Sequence, residues 1–281
     1  MPNLSMKRTT AACFFLGLLL LAASCATLKT SAQKPTLYLI GDSTVKNGKG
    51  KGDGGLWGWG SFLGEYFDTT QVSVRNYALG GTSSRTFRTQ GHWEKVLPNV
   101  KAGDYVMIQF GHNDSSPVND TLRARGTLKS NGEEIQEIDN LITRQHEVVH
   151  SYGWYLRQFI SEVKAKGATP IVLSPVPRNI WKDGQANRND HDYGKWATEA
   201  ARQTNTLFID LNKLIADRYE KEGEEKVRST YFNTTDHTHT IEAGARVNAA
   251  AVVEGITQHR KLALNKYLLQ RHKAPQAAVG Y

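Results

Sequence analysis

Cysteine is nearly absent from this chain: its 281 residues contain two, Cys13 and Cys25. A disulfide framework, a zinc site with thiolate ligands and a cysteine nucleophile are therefore excluded from everything after residue 25. Long apolar runs are also absent, because residues 11–23 fall short of the roughly 20 apolar residues of a membrane helix. With 39% hydrophobic and 22% charged residues, the composition excludes a disordered chain, a collagen and a coiled coil.

The N-terminal segment has the pattern of a secretory signal peptide. Lys7 and Arg8 precede the apolar run of residues 11–23, and a basic start followed by a short apolar stretch is typical of export signals. Signal peptidase could cut after Thr-Ser-Ala at residues 30–32. Alternatively, Leu-Ala-Ala-Ser-Cys at residues 21–25 resembles a bacterial lipobox, with Cys25 as the lipidated residue and a membrane anchor. We therefore expect a secreted, periplasmic or cell-surface protein.

Acidic residues are outnumbered by basic ones, which gives a net charge of +8. Removing Lys7 and Arg8 with the signal, and no acidic residue, lowers this charge to about +6. A basic excess attracts anionic partners. Because nucleic acid is an uncommon partner outside the cell, we expect no nucleic-acid binding, and the excess favours an anionic substrate.

Short apolar runs rich in β-branched residues alternate with stretches of helical periodicity. The strand-like runs are residues 36–40, 72–77, 105–110, 170–174 and 207–211. The helix-like stretches are residues 59–67, 145–166, 193–203, 213–221 and 243–264. The stretch over residues 145–166 is amphipathic. Its apolar residues recur every three or four positions, at Val148, Tyr152, Tyr155, Phe159 and Val163.

This alternation predicts an α/β fold, a three-layer doubly wound (flavodoxin-like) arrangement with a five-stranded parallel sheet. We expect one domain over residues 33–265, preceded by a signal peptide and linker over 1–32 and followed by a tail over 266–281. Ligands of such sheets bind at the carboxyl ends of the strands. Functional residues are therefore expected at these ends.

Four polar or glycine-rich segments follow strands or lie near the C-terminus. They are Gly-Asp-Ser-Thr at 41–44, Gly-Gly-Thr-Ser at 80–83, Gly-His-Asn-Asp at 111–114 and Asp-His-Thr-His at 236–239. A serine attacks a carbonyl when a histidine takes its proton and a carboxylate orients that histidine, and Ser43, His239 and Asp236 supply these groups. Each segment alone has a simpler interpretation as a turn, a helix N-cap, a solvated loop or a metal site. Their order at successive strand ends favours catalysis.

In this order the four segments resemble the SGNH hydrolase superfamily, and within it the rhamnogalacturonan acetylesterases of carbohydrate esterase family 12. Further similarity lies in Trp-Gly-Trp-Gly at 57–60, Ser-Ser-Arg-Thr-Phe at 83–87 and Gly-Asp-Tyr-Val at 103–106. The resemblance extends from residue 35 to about residue 253.

The resemblance implies that Ser43, His239 and Asp236 are catalytic. It also implies an oxyanion hole formed by the backbone N–H groups of Ser43 and Gly81 and the side-chain amide of Asn113. Glycine permits close backbone approach and an Asn amide donates without charge, so these types suit the role. Thr82 departs from the family pattern, in which Arg is common, so a side-chain contact from that position is not expected.

Candidate substrate contacts have weaker signals. Trp57 and Trp59 are candidates for stacking on sugar rings, with core packing as the alternative. The loop over residues 178–196 offers further candidates, with a solvated excursion as the alternative: Arg178, Trp181, His191 and Tyr193.

Other patterns have structural interpretations. Asp42 and Asp114 are expected to brace loops through hydrogen bonds to backbone amides. The glycine-rich residues 47–55 lack the order of a phosphate loop and are expected to form a mobile loop near the mouth of the site. His146 and His150 are expected on one helix face.

No metal or organic cofactor is expected. His239, together with His237 and Asp236, is also a conceivable metal ligand, but His239 already has a catalytic assignment and no thiolate is available.

The resemblance implies a serine esterase that removes O-acetyl groups from plant cell-wall polysaccharide through an acetyl-enzyme. Pectic rhamnogalacturonan is the first expected substrate and acetylated xylan the next, and the basic charge favours pectin. Two alternatives stay open: a lipase- or thioesterase-type SGNH hydrolase acting on long acyl chains, and an inactive hydrolase fold that binds glycans at the cell surface.

Overall fold

The computed structural model describes residues 34–270. The expected signal segment with Cys13 and Cys25, and the last residues from 271 onward, lie outside this range. The strands are β1 (Thr36–Gly41), β2 (Leu56–Trp57), β3 (Ser73–Asn76), β4 (Tyr105–Gln109), β5 (Ile135–Asp139), β6 (His146–His150), β7 (Thr169–Leu173), β8 (Trp181–Lys182), β9 (Gln185–Ala186), β10 (Leu207–Ile209) and β11 (Thr240–Ile241).

The α-helices are α1 (Ser84–Thr89), α2 (Trp93–Val96), α3 (Tyr152–Ala165), α4 (Tyr193–Gln203), α5 (Leu211–Glu222), α6 (Glu224–Tyr231) and α7 (Glu242–Gln258). Short 3-10 helices add Asp53–Gly55, Trp59–Ser61, Leu63–Tyr66, Leu97–Asn99 and Ala263–Tyr267. None of the helices between residues 34 and 270 is long and apolar enough to cross a bilayer.

Five parallel strands form the central sheet in the order β10-β7-β4-β1-β3. The chain builds β3 on one side of β1 and then β4 on the other, so the strand order reverses next to β1. The carboxyl ends of strands at such a reversal open into a crevice suited to ligands. The predicted α/β fold with a five-stranded parallel sheet is confirmed, and β1 lies at its switch point.

Each face of the sheet carries its own apolar core. Residues on alternate positions of a strand point to opposite faces: Leu37 and Leu39 pack on the side of α5 and α7, whereas Tyr38 and Ile40 pack on the side of α3 and α4. The side chains that cover the second face include Tyr152, Leu156, Phe159, Val163 and Ala197. The molecule therefore has the three layers that the sequence predicts.

The helix expected over residues 145–166 is wrong in its first two turns. Residues 146–150 form β6, which pairs antiparallel with β5, so His146 and His150 lie on a strand and Val148 is 40% exposed. Ser151 ends this strand and caps α3, because its side chain accepts a hydrogen bond from Trp154 N–H. The buried stripe therefore begins at Tyr152.

Other element boundaries also differ from the expectation. Residues 59–67 form two 3-10 turns, and α7 ends at Gln258, before the expected residue 264. The predicted start of the C-terminal tail at residue 266 is too early, because Tyr267 and Leu268 are buried in the core. Leu268 also forms a bridge with Phe67, which ties these residues to the domain.

Candidate active site

Ser43 lies in a tight turn directly after β1. The Asp42 carbonyl accepts hydrogen bonds from Val45 N–H at 3.2 Å and Lys46 N–H at 3.1 Å, which closes the turn around Ser43. The buried Asp42 carboxylate accepts two more, from the backbone N–H and hydroxyl of Thr44, at 2.9 and 2.7 Å. The turn is thus fixed from inside by Asp42, as the sequence predicts.

The Trp-Gly-Trp-Gly segment packs its backbone directly on this turn. Trp59 N–H donates to the Thr44 carbonyl and Gly60 N–H to the Val45 carbonyl, both at 3.0 Å. A Cβ atom on Gly58 would lie 2.3 Å from the Val45 carbonyl carbon, closer than any non-bonded contact allows. Glycine at position 58 is therefore a condition for this close approach.

A buried chain of hydrogen bonds continues from the same segment to Asp42. Trp59 Nε1–H donates to Gln109 Oε1 at 2.8 Å, and Gln109 Nε2–H donates to Thr44 Oγ1 at 2.6 Å. Thr44 Oγ1–H then donates to Asp42. Trp59 is 1% exposed, so the expectation that it stacks on a sugar is wrong: the ring belongs to the core and positions the turn.

His239 and Asp236 come together in the loop before β11. Asp236 Oδ2 lies 2.7 Å from His239 Nδ1, and His239 Nε2 lies 2.7 Å from Ser43 Oγ. A carboxylate can only accept hydrogen bonds, so Nδ1 is assigned the hydrogen that faces Asp236, and Nε2 is assigned as the acceptor of the Ser43 hydroxyl. The structure brings the predicted Ser-His-Asp set into one hydrogen-bonded chain.

Local hydrogen bonds hold the Asp236 carboxylate in its ionised form. Partial burial opposes ionisation, but hydrogen bonds from the backbone and ring of His239 and from Thr238 N–H outweigh it and lower the pKa of Asp236. Asp236 Oδ1 accepts these backbone N–H groups at 2.9 and 2.7 Å. A serine hydroxyl bonded to an imidazole that an ionised carboxylate orients is equipped to attack a carbonyl carbon.

The segment after β3 places backbone N–H groups beside Ser43. Gly81 adopts a left-handed conformation with φ of 85°, which favours glycine at this position. A Cβ atom on the adjacent Gly80 would lie 3.6 Å from Ser43 Cβ, so the two strand ends touch. The N–H groups of Ser43 and Gly81 make no hydrogen bond within residues 34–270.

Asn113 reaches the same place from the end of β4. Its amide Nδ2 donates to the Thr82 carbonyl at 2.8 Å and is buried. An amide nitrogen carries two hydrogens, so one remains after this bond. The three expected oxyanion donors therefore share the edge of the sheet with Ser43.

Two further buried titratable groups lie beside this edge. Burial raises the pKa of Asp114 to about 7, although hydrogen bonds from the backbone and side chain of Ser84 lower it. Asp114 thereby braces the start of α1, as the sequence predicts. Burial lowers the pKa of His112 to about 4, so this ring is neutral at pH 7, and its Nε2 has no partner among the described residues.

The remaining candidates for substrate contact have different positions. Tyr193 is 6% exposed and packs edge-on against Tyr152 and Trp196, so direct contact with a polysaccharide is wrong for this residue. Arg178 braces the site: its guanidinium donates to Thr238 Oγ1 at 3.2 Å and to the His112 carbonyl at 3.4 Å.

Four candidates keep an accessible surface, and Arg178 is one of them because it is only half-buried. Trp57 is half-buried against Phe62, and Trp181 is half-buried in the β8–β9 hairpin, with Nε1–H donating to Asn179 Oδ1. His191 has a 94% exposed side chain next to Asp190. Contacts of Arg178, Trp57, Trp181 and His191 with substrate stay predictions.

The sequence missed three contributors to the site. Gln109 links Trp59 to Thr44, and a polar residue near the end of an apolar strand was the only signal for it. Arg123 and Arg125 approach Gly81 from the loop after β4, and a pair of arginines in a polar loop carries no pattern of its own.

His237 is exposed, and no group of three metal-binding side chains occurs in the part of the chain that the structure describes.

We expect Gly58→Ala to destabilise the protein, because the added Cβ meets backbone atoms of residues 45 and 46 that cannot turn away. The free energy of unfolding in urea should fall by about 1–3 kcal/mol. Gly64→Ala is the matched control, since its Cβ would meet nothing closer than Val74 Cβ at 3.9 Å. Equal stabilities of the two variants would contradict the close approach.

The neutral His112 predicts a specific loss of stability in acid. In the unfolded chain His112 binds a proton below about pH 6.5, whereas in the folded protein it does so only near pH 4. Stability from this group is present above pH 6.5 and is lost as the pH falls toward 4. Between pH 7.5 and 5, urea titrations should show wild type losing about 2 kcal/mol more than His112→Gln. Parallel pH profiles would contradict this.

A family model and individual relatives match this chain. The model of the GDSL-like lipase/acylhydrolase family matches residues 39–247. A probable rhamnogalacturonan acetylesterase of Bacillus subtilis strain 168, YesY, is 32% identical over 227 residues, which is 79% of this chain and 92% of the relative. A rhamnogalacturonan acetylesterase of Emericella nidulans is 28% identical over 236 residues, 84% of this chain and 90% of the relative.

A solved structure has the same fold. The crystal structure of the YxiM protein from Bacillus subtilis superposes with a TM-score of 0.64 and 28% identity, over 82% of this chain. The match spans 58% of the YxiM chain. The family model covers residues 41–44, 80–83, 111–114 and 236–239, which are the segments that build the candidate site. The chain belongs to the GDSL-like lipase/acylhydrolase (SGNH) family.

Proposed function

We propose that this esterase removes O-acetyl groups from pectic polysaccharide, with rhamnogalacturonan as the first substrate and acetylated xylan as the second. The observation that carries the proposal is the hydrogen-bonded chain from Asp236 through His239 to Ser43, next to unpaired N–H donors. The names of the relatives, rhamnogalacturonan acetylesterases at 28% and 32% identity, support the choice of substrate.

The first half-reaction transfers the acetyl group to the enzyme. Ser43 Oγ attacks the ester carbonyl carbon while His239 Nε2 takes the hydroxyl proton, and Asp236 stabilises the imidazolium that forms. The N–H groups of Ser43 and Gly81 and the amide of Asn113 stabilise the oxyanion. His239 then gives its proton to the sugar oxygen as the C–O bond breaks, which leaves acetyl-Ser43 and a free sugar hydroxyl.

Water completes the cycle. His239 takes a proton from a water molecule that attacks the acetyl-Ser43 carbonyl, and the same oxyanion donors stabilise the second tetrahedral intermediate. The proton returns to Ser43 Oγ as acetate leaves. Each step uses the Ser43–His239–Asp236 set and the adjacent hydrogen-bond donors, and the cycle regenerates the free enzyme.

The proposal extends to location. The pattern of residues 1–32 supports export, with either a free mature protein or a lipid anchor at Cys25. The intact mass of the protein purified from its native cell envelope would distinguish the two forms.

Acetate release measured side by side on acetylated rhamnogalacturonan, homogalacturonan and xylan tests the substrate. We expect the highest kcat/KM on rhamnogalacturonan, and no release by Ser43→Ala. A preference for long acyl chains over acetate in a series of p-nitrophenyl esters would contradict the acetylesterase proposal. Glycan binding without acetate release would identify an inactive binding protein instead.

Asn113→Ala tests the oxyanion hole. Loss of one such donor costs about 3–4 kcal/mol of transition-state stabilisation in other hydrolases, so kcat for p-nitrophenyl acetate should fall by roughly 10²–10³-fold. Asn99→Ala is the matched control, because the Asn99 amide also donates to a backbone carbonyl, at 2.9 Å, but lies before β4 instead of after it. Near-wild-type kcat in Asn113→Ala would remove Asn113 from the site.

A further inference from the structure

The loop between β4 and β5 is held rigidly against the site. Thr127 N–H donates to the Asp114 carbonyl at 3.1 Å, which returns the loop to the sheet edge that it left. The fully buried Arg85 donates to the carbonyls of Val118 and Gly126, both at 2.8 Å, and forms a two-pronged ion pair with Glu147. Both ends of the loop are therefore anchored to buried groups.

The tip of this loop presents two arginines. One oxygen of Asp120 accepts the N–H groups of residues 122, 123 and 124, at 3.1, 2.6 and 2.7 Å. Ala124 is 2% exposed, so a buried residue anchors the backbone between Arg123 and Arg125. Arg123 is exposed and Arg125 is half-buried.

The two guanidinium groups converge on Gly81. A Cβ atom on Gly81 would lie 3.7 Å from Arg123 Nη1 and 3.8 Å from Arg125 Nη1. Arg125 is fixed there by hydrogen bonds to the Gly81 carbonyl at 2.9 Å and to Ser116 Oγ at 3.1 Å. The Arg123 guanidinium has no hydrogen-bond partner among the described residues.

This pair lacks the acidic partners that seven of the fourteen arginines in residues 34–270 have. Arg85 and Arg88 each pair with a glutamate, whereas neither Arg123 nor Arg125 forms an ion pair within residues 34–270. Burial lowers the pKa of Arg125, the charge of Arg123 lowers it further, and Asp42, Asp114 and Asp120 offset part of this effect. Two like charges held side by side favour the binding of an anion.

We propose that Arg123 and Arg125 bind a carboxylate of the sugar chain at or next to the acetylated residue, and so select uronate-containing polysaccharide over neutral polysaccharide. This inference rests on the proposed function and assigns its substrate preference to two residues. Guanidinium groups match the planar geometry of a carboxylate. Because Gly81 N–H is an oxyanion donor in the proposed reaction, a carboxylate at these arginines lies within about one sugar ring of the ester.

The test uses one acetylated rhamnogalacturonan oligosaccharide in two forms, with free galacturonate carboxylates and with methyl-esterified carboxyl groups. Arg123→Gln should lower kcat/KM on the free acid at least about tenfold more than on the methyl ester, mainly through KM. Arg123→Lys should restore part of the loss. Because the Arg123 side chain makes no contact that holds the loop, both variants should keep the unfolding free energy of wild type.

Arg260→Gln is the matched control. Arg260 is an exposed arginine at the opposite end of the sheet, in a depression lined by Tyr105, Thr169 and Leu207, which begin their strands. This variant makes the same change of net charge away from the site. It should alter kcat/KM on neither form, and an equal loss in Arg123→Gln and Arg260→Gln would overturn the proposal in favour of a general charge effect.

A second readout separates this inference from the proposed function. Unacetylated oligogalacturonide should inhibit hydrolysis of p-nitrophenyl acetate competitively, and Arg123→Gln should raise its inhibition constant at least about tenfold. Absence of acetate release from every polysaccharide, together with this inhibition, would overturn the proposed function and support the carboxylate site. Acetate release at equal kcat/KM from both forms, with no effect of Arg123→Gln, would overturn the carboxylate site alone.

Discussion

The arrangement of the active site depends on the close packing of the backbone at residues 57–60 against the turn that carries Ser43. Glycine at position 58 lets this segment touch the turn, and Trp57 pairs with Thr240, the residue after His239. One short segment therefore sets the positions of Ser43 and His239, the proposed nucleophile and base, which are 196 residues apart in the sequence. The parallel sheet then brings the proposed oxyanion donors next to Ser43, because its adjacent strands end at the same edge.

Charge is distributed differently inside and outside this site. The groups that hold its shape are buried and hydrogen-bonded, as in the chain from Trp59 through Gln109 to Asp42, and His112 stays neutral because burial lowers its pKa. The arginines at the rim are more accessible and lack acidic partners. A rigid, hydrogen-bonded interior beneath a cationic rim is consistent with the anionic substrate that we propose.

The central strands and the Ser-His-Asp set could be predicted from the sequence, because a strand buried on both faces is a continuous apolar run and the motifs are contiguous. The β5–β6 hairpin could not, since its residues are largely exposed and the spacing of Val148 to Tyr152 fits a helix equally well. The role of Trp59 depends on Gln109, 50 residues away. The place of Arg123 beside Gly81 depends on the anchoring of its loop by Arg85, which no local pattern reveals.

The central claim is that Ser43 is a nucleophile activated by His239. Labelling with a fluorophosphonate, followed by intact-mass analysis and peptide mapping, tests it most directly. The account predicts one adduct per chain, on Ser43, and labelling slower by orders of magnitude in a folded His239→Gln variant. An adduct on another residue, or an unchanged labelling rate in that variant, would contradict the account.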